Sequence, residues 1–395
     1  MQMLSNQVQG YIENSSWIRK MFEAGIELKA KFGEDAVCDF SLGNPDLAPP
    51  KAVANGLREI ADAADKPFAF GYMPNFGYPG ARQALAAHLS AEQGAAVEPG
   101  DIVFTCGAAG ALNIIMRAVL EPGDEALCSA PYFVEYGFYT QNHGGVFKSV
   151  PAMPLTFELD LAAMEAAITN KTRIVLVNSP NNPSGAVYSE AELRGLAALL
   201  TRKTEEFGRP IYLVADEPYR FLVFDGCEVP SILPLYPYSI VASSFSKSLS
   251  LAGERVGYAC VNNAMPGKAA LMAGLVLTNR ILGFVNAPAI GQKLVEKVLG
   301  SQVNVAIYAE RRKAMTAVLD EAGYSFTMPK GAFYFFPEAP GGDDVKFCAA
   351  LQEERILAVP GSGFGSPGYF RLTFCVGEEV IRRSAEGFAK AIAKF

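Results

Sequence analysis

Lys247 stands inside the stretch SSFSKSLSLAGERVGY, with Ser243, Ser244, Ser246, Ser248 and Ser250 around it and Arg255 eight residues further on. A lysine works as a covalent amine nucleophile only when part of its population is uncharged, which desolvation or a nearby cation achieves by lowering its pKa. Arg255 is the cation that the spacing offers. A guanidinium fork among hydroxyls is also a cradle for an anion, because the fork matches phosphate oxygens and the hydroxyls fill the remaining acceptors. The implied ligand carries a phosphate and a carbonyl. Taken alone, the stretch also reads as a solvated basic loop.

Other stretches supply the rest of such a site. In NSPNNPSG, Asn182 offers an amide donor on a backbone fixed by Pro180 and Pro183. In DEPY, Asp216 is placed to hold a buried positive charge, and Tyr219 adds a phenol three residues later. Phe133 in PYFVEY presents a flat face on which a heteroaromatic ring can stack. Gly107-Ala108-Ala109-Gly110 lies between an apolar strand pattern, 101–105, and a helical one running to Leu120. Strand, small residues, helix is a phosphate-binding arrangement, since backbone N–H groups at the helix start meet the anion. Gly43, in SLGNPDLAPP, allows close backbone approach to a ligand, and Tyr72 sits in the aromatic loop FGYMPNFGYPG. Each piece has another reading. Asp216-Glu217 passes for a magnesium-binding pair, Phe133 for core, and the glycine string with Glu125 for a weak dinucleotide fingerprint without its G-x-G turn. A nicotinamide-dependent oxidoreductase is therefore the rival class.

The elements that must position these residues read as α/β. Short apolar runs at 125–128, 173–177, 211–215 and 240–242 fit strands buried on both faces of a mainly parallel sheet. Ser189 and Glu192 form a capping box that opens a helix. The suggestive residues follow strands, where ligands of such sheets sit. Nearer the amino end, Trp17, Ile18, Met21, Phe22 and Ile26 predict an amphipathic helix over 15–32. In the carboxyl third, helices are predicted at 304–322, 344–355 and 378–394, with strands at 333–336 and 369–374. The last helix opens on Glu378 and Glu379 and closes on Lys390 and Lys394, as its dipole favours.

Composition bounds the partners. At 395 residues, half of them hydrophobic, the chain has material for two cored units. A net charge of -7 argues against nucleic acid or an acidic membrane surface as partner. The seven cysteines are odd in number and never in C-x-x-C spacing, which reads as reduced thiols in a cytoplasmic protein. The opening residues carry no basic, then apolar, signal pattern, and no apolar run approaches the ~18 residues of a membrane span. Two isolated histidines give zinc sites and Ser-His-Asp chemistry a poor start, and no metal is expected.

The series of motifs, with S-x-x-K-x(7)-R from Ser244 to Arg255 at its centre, resembles the fold-type I aminotransferases of classes I and II, aspartate aminotransferase-like, from about residue 42 to 374. The matching residues are Gly43, Tyr72, Gly107, Ala108, Ala109, Phe133, Asn182, Asp216, Tyr219, Ser244, Lys247, Arg255 and Arg371. The resemblance implies pyridoxal 5'-phosphate as cofactor, bound covalently to Lys247, with Asp216 at its ring nitrogen and Asn182 and Tyr219 at its phenolic oxygen. It implies Arg371 for the substrate α-carboxylate, ping-pong transfer between an L-amino acid and a 2-oxo acid, and a homodimer in which Tyr72 reaches the neighbouring cofactor's phosphate. The fold it implies is a large cofactor-binding domain, 49–300, with a mainly parallel sheet, and a smaller α/β domain from 1–48 and 301–395. C–S lyases and related elimination enzymes share this core. Regulators on the same fold carry an amino-terminal winged helix, for which no room is expected before Gly43. Part of the apolar segment 265–284 is expected at the dimer interface, and its Arg280 reads either as a ligand for a substrate's distal carboxylate or as a structural arginine paired across that interface.

Overall fold

The computed structural model describes residues 3–13 and 17–395. Seven strands make the central sheet: β1 (Ile102–Cys106), β2 (Glu125–Ala130), β3 (Val146–Pro151), β4 (Thr172–Asn178), β5 (Tyr212–Asp216), β6 (Ser239–Ser244) and β7 (Val256–Val261). Their order is β1-β7-β6-β5-β4-β2-β3. β7 runs antiparallel to both its neighbours, and every other adjacent pair is parallel.

Strands β2, β5, β6 and β7 are buried at every position. That is why β2, β5 and β6 read as continuous apolar runs rather than alternating ones. Alternation survives only in which layer a side chain enters. In β4, Val175 and Val177 face a core built with helices Pro79–Gln93, Glu190–Phe207 and Ala289–Val298, whereas Ile174 and Leu176 face one built with Gly107–Val119 and Lys268–Ile281. The predicted capping box is present, with Ser189 accepting from the Glu192 amide and the Glu192 carboxylate accepting from the Ser189 amide.

The sequence pattern missed β3 and β7. β3 is an edge strand whose VFKSVP is mostly solvent-facing, and the VGYACV of β7 continues directly from the Lys247 stretch without a turn signal.

A second apolar core gathers Phe40, Tyr308, Phe333, Phe335, Phe347, Phe370, Phe374 and Phe388. It covers a three-stranded antiparallel sheet, Val359–Pro360, Phe370–Thr373 and Tyr334–Phe335, packed with helices Val305–Ala322 and Asp344–Glu353. Cys38–Asp39 pairs in parallel with Ile356–Leu357, and Asp46 accepts a two-pronged bond from Arg311 at 2.8 and 2.7 Å. The expected final helix is two, Glu378–Arg383 and Ala385–Ile392. At the junction, the Ser384 hydroxyl donates to the Ile381 carbonyl at 2.6 Å, a local bond of the kind that bends helices. The amino-terminal helix spans Trp17–Phe32; Ser15, where it was expected to start, lies outside the described residues. Met21 is buried on this helix, but Ile26 is exposed. Among the described residues no helix is long and apolar enough to cross a membrane.

Candidate active site

Asn178, Asp216 and Ser244 are the last residues of β4, β5 and β6, three neighbours in the sheet, so their ends open side by side. A cavity of about 370 Å³ lies over these ends, roofed by Gly43, Tyr334 and Arg371. Parallel strands direct their backbone carbonyl ends and following loops to such a crevice.

Lys247 reaches the cavity just beyond β6. Its Nζ donates to the Gly43 carbonyl at 2.7 Å and lies 5.5 Å from the Phe333 ring centre. Burial pushes its pKa down from 10.5 to about 8; Cys375 opposes this, and Arg371 and then Arg255 add to the depression. Arg255 is thus a lesser cause than its place in the motif suggested. Desolvation makes the amine nucleophilic.

Asp216 is buried, and its Oδ2 accepts from the Tyr136 hydroxyl at 2.6 Å. Its Oδ1 is buried with no partner. Burial raises the carboxyl to about 7, Tyr136 works against that, and Glu217 adds to it. Asn178 locks the next loop to this strand end, its Nδ2 donating to the Asp216 carbonyl at 2.8 Å and its Oδ1 accepting from the Asn182 amide at 2.7 Å. Asn182 in turn accepts from Arg371 Nη1 through Oδ1 at 3.0 Å, which leaves its amide nitrogen as a donor. Arg371 is 2% exposed, its Nη2 donates to the Ser41 carbonyl, and its guanidinium lies 4.7 Å from the Tyr334 ring centre and 4.8 Å from that of Phe364. Two aromatic faces hold the fork in one plane.

The other end of the cavity is an anion site. The helix Gly107–Val119 begins there, and Ala108, Ala109, Ser244, Ser246 and Arg255 line it. Gly107 has φ 72°, which strains any other residue, and a Cβ on it would meet Arg255 Nη2 at 2.9 Å and displace the guanidinium. Phe133 lines the wall between the two ends, edge-on to Tyr136 at 5.5 Å. Tyr219 places its hydroxyl 2.9 Å from that of Tyr334.

Two predicted site residues stay outside. Tyr72 is 99% exposed, in a shallow hollow with Phe284 and Asn286, and Arg280 is exposed at the end of its helix. Sequence reasoning missed Tyr136, Tyr139, Asn178 and Tyr334. Tyr136 lay in the quoted PYFVEY, three residues after Phe133, and Asn178 opened NSPNNPSG; Tyr334 was hidden in an aromatic strand that read as core.

An orphaned carboxylate oxygen, a desolvated lysine and a helix start crossed by an arginine occupy one cavity, and this donor set fits pyridoxal phosphate: a ring nitrogen, a carbonyl and a phosphate. The sequence profile described as "Aminotransferase class I and II" matches residues 35–388. A "Probable aspartate/prephenate aminotransferase" of Thermus aquaticus is 32% identical, over 93% of this chain and 94% of that one. A solved aminotransferase from Eubacterium rectale superposes with a TM-score of 0.96 at 38% identity, covering all of both chains. The Thermus thermophilus aspartate aminotransferase solved with maleate gives 0.87 at 29% identity, over 99% of this chain and all of that one. The nicotinamide reading of Gly107–Gly110 gives way, since the aminotransferase profile runs through this stretch and Arg255 lies beside Gly107 at the anion end of the cavity. With its profile matched from 35 to 388, this chain belongs to the class I and II aminotransferases and performs pyridoxal-phosphate-dependent amino-group transfer.

Proposed function

We propose that this chain moves the amino group of an L-amino acid, aspartate first among candidates, to a 2-oxo acid. The observation that carries the residue roles is the unpartnered Asp216 Oδ1 in the same cavity as Lys247 Nζ and the Arg371 fork. Support for aspartate comes from the names of the relatives and from maleate, a dicarboxylate, in the solved Thermus thermophilus enzyme.

When bound, pyridoxal phosphate supplies a carbonyl that links covalently to an amine and a ring that draws electrons from the carbon the amine bears. Lys247 holds it until an incoming amino acid takes its place. Arg371 binds the substrate carboxylate with paired N–H donors and, through Asn182, ties that carboxylate to the cofactor side of the cavity. Asp216 would keep a proton on the ring nitrogen, and Asn182 Nδ2 and Tyr219 Oη would donate to the ring oxygen. Phe133 covers one ring face. Arg255, Ser244 and the amides after Gly107 hold the phosphate. Lys247 Nζ, once released, would take the α-proton from the substrate and hold it for return on the cofactor side, a task its pKa near 8 suits. The amino donor and the second oxo acid would use this one cavity and the same Lys247 and Arg371 in turn, so the expected kinetics are ping-pong.

A homodimer belongs to this proposal, with the partner subunit's Tyr72 completing the phosphate site; the full exposure of Tyr72 supports it. So does a division into a cofactor-binding unit, 49–300, and a smaller unit from 1–48 and 301–395, supported by an aromatic core drawn mostly from the latter and joined by Tyr219, Leu222 and Phe224 of the former. Cytoplasmic residence is supported by the seven free cysteines.

The test is a panel of amino donors, aspartate, glutamate and alanine among them, against 2-oxoglutarate, pyruvate and prephenate, scoring oxo acid formed. The purified protein should be yellow and lose its near-visible band on borohydride treatment. A colourless protein that turns over only with added nicotinamide would overturn the proposal, and pyruvate and ammonia formed without an acceptor would redirect it to elimination.

A further inference from the structure

Tyr334 touches two of the groups that the catalytic proposal uses, Tyr219 and Arg371, and abuts Gly43, whose carbonyl accepts from Lys247 Nζ. Its hydroxyl lies 2.9 Å from that of Tyr219, its ring faces the Arg371 guanidinium at 4.7 Å, and a Cβ on residue 43 would fall on its oxygen. Tyr334 and Tyr219 are 2% and 4% exposed, and among the described residues no other hydrogen bond joins either hydroxyl. The two phenols therefore settle their protons between themselves.

A phenol has one proton to give. Were Tyr219 to donate to Tyr334, its proton would be used and its oxygen could only accept, which repels an electron-rich ring oxygen. Were Tyr334 to donate, the Tyr219 proton would remain for the cavity. Acidity decides between the two. Burial raises both phenols, and the Arg371 guanidinium, 4.7 Å from the Tyr334 ring centre, works against that rise at Tyr334 ahead of every other group, whereas at Tyr219 it comes last. In a neutral pair the stronger acid is the better donor, so the proton of the bridge belongs to Tyr334.

We propose that Tyr334 is a positioning residue: it donates to Tyr219 Oη, thereby turning the Tyr219 proton toward the cofactor's ring oxygen, and its ring holds the Arg371 fork in the plane a carboxylate needs. This rests on the proposed place of Tyr219 at that oxygen. The two halves of the role separate by substitution, since Tyr334→Phe removes only the hydroxyl while Tyr334→Leu removes the ring face as well.

The measurement is the pH midpoint of the near-visible band of the resting holoenzyme, which needs no turnover. A donor to the ring oxygen lowers the cofactor's proton affinity, so Tyr219→Phe and Tyr334→Phe should both raise the midpoint, by about half a unit or more for a hydrogen bond of ordinary strength. The double variant should move no further than Tyr219→Phe alone, because Tyr334 acts through Tyr219. Replacing Tyr334 with 3-fluorotyrosine, a stronger donor that keeps the packing, should shift the midpoint the other way. Tyr334→Phe should leave KM for the amino donor near wild type, and Tyr334→Leu should raise it. An unmoved midpoint in Tyr334→Phe while Tyr219→Phe shifts, or additive shifts in the double variant, would overturn the proposal. An unmoved midpoint in Tyr219→Phe would instead remove Tyr219 from the ring oxygen, and this inference with it.

Discussion

The Tyr136 hydroxyl donates to one oxygen of Asp216 at 2.6 Å, and the other oxygen of that buried carboxylate has no partner. The asymmetry has a chemical sense. A neutral phenol steadies the carboxylate without cancelling its charge, so a full negative charge is kept for a cation that the chain itself does not provide. In the apoprotein this is a liability, and burial accordingly lifts the carboxyl to about 7.

That liability predicts how apoprotein stability depends on pH. The folded pKa of Asp216 lies above its unfolded value, so the folded state holds the proton longer and stability is lost as pH rises from about 4 to about 7. Asp216→Asn cannot ionise. The apo variant should gain melting temperature over wild type progressively through that window, by a free energy of roughly 4 kcal/mol at most. In the holoenzyme the same variant should lose turnover by orders of magnitude, because the ring nitrogen loses its counter-charge. A constant melting difference across pH would show that Asp216 is not a strained acid.

Lys247 gives a second titration, with the opposite charge. Burial first, then the Arg371 and Arg255 cations, depress its ammonium to about 8. An amine-directed reagent should therefore label Lys247 in the apoprotein with a rate that rises through pH 8, about two units earlier than an ordinary lysine. Labelling that follows the surface lysines would remove the desolvated amine from the mechanism. Lys247→Ala should abolish the near-visible band and transamination while leaving the fold intact.

How much of this was legible depended on whether a residue's role shows in its type. Lys247, Asp216, Asn182, Arg255 and Arg371 could be read because charge or amide chemistry at a strand end has few structural uses, and the cavity brings all five together. Tyr334 and Tyr136 could not, because a tyrosine in an aromatic run is ordinary core until a neighbour for its hydroxyl is known, and those neighbours lie 115 and 80 residues away in sequence. The sheet divides likewise. Fully buried parallel strands announced themselves as apolar runs, whereas edge strand β3 carries a lysine and serine that no core pattern predicts. Tyr72 was expected to act at the site from its loop and the motif order, whereas one chain alone leaves it in solvent.

Gly43 should tolerate no side chain. A Cβ there would overlap the Tyr334 hydroxyl and press on its ring, while the Gly43 carbonyl is the acceptor for Lys247 Nζ. Gly43→Ala should cost about 1–3 kcal/mol of stability, as overpacking does. Combining it with Tyr334→Phe, which removes the nearest atom, should recover part of the loss in melting temperature. Strictly additive losses would mean that the two positions do not share that space.

Tyr72 supplies the test of the shared site. Tyr72→Phe should weaken retention of the cofactor, and mixing that variant with Lys247→Ala should restore activity in hybrid dimers that hold one intact site. Failure to complement under conditions shown to exchange subunits would confine Tyr72 to its own chain.

Arg280 bears on the donor. The cations lining the cavity are Lys247, Arg255 and Arg371, and the mechanism uses all three, so the distal carboxylate of aspartate needs a cation from elsewhere. Arg280 is exposed on a helix that also exposes Leu277 and Ile281, an apolar face suited to a second copy of the chain. If the face closes on that copy and Arg280 enters its cavity, a charged hydrogen bond to the substrate is lost in Arg280→Ala. KM for aspartate and glutamate should then rise by about tenfold or more, with KM for alanine nearly unchanged. A purely structural arginine predicts something else: equal losses with all three donors and a dimer that dissociates at higher concentration. In that case aspartate would have to be held by a hydroxyl such as that of Tyr139, and neutral amino acids would become the better candidates for the donor.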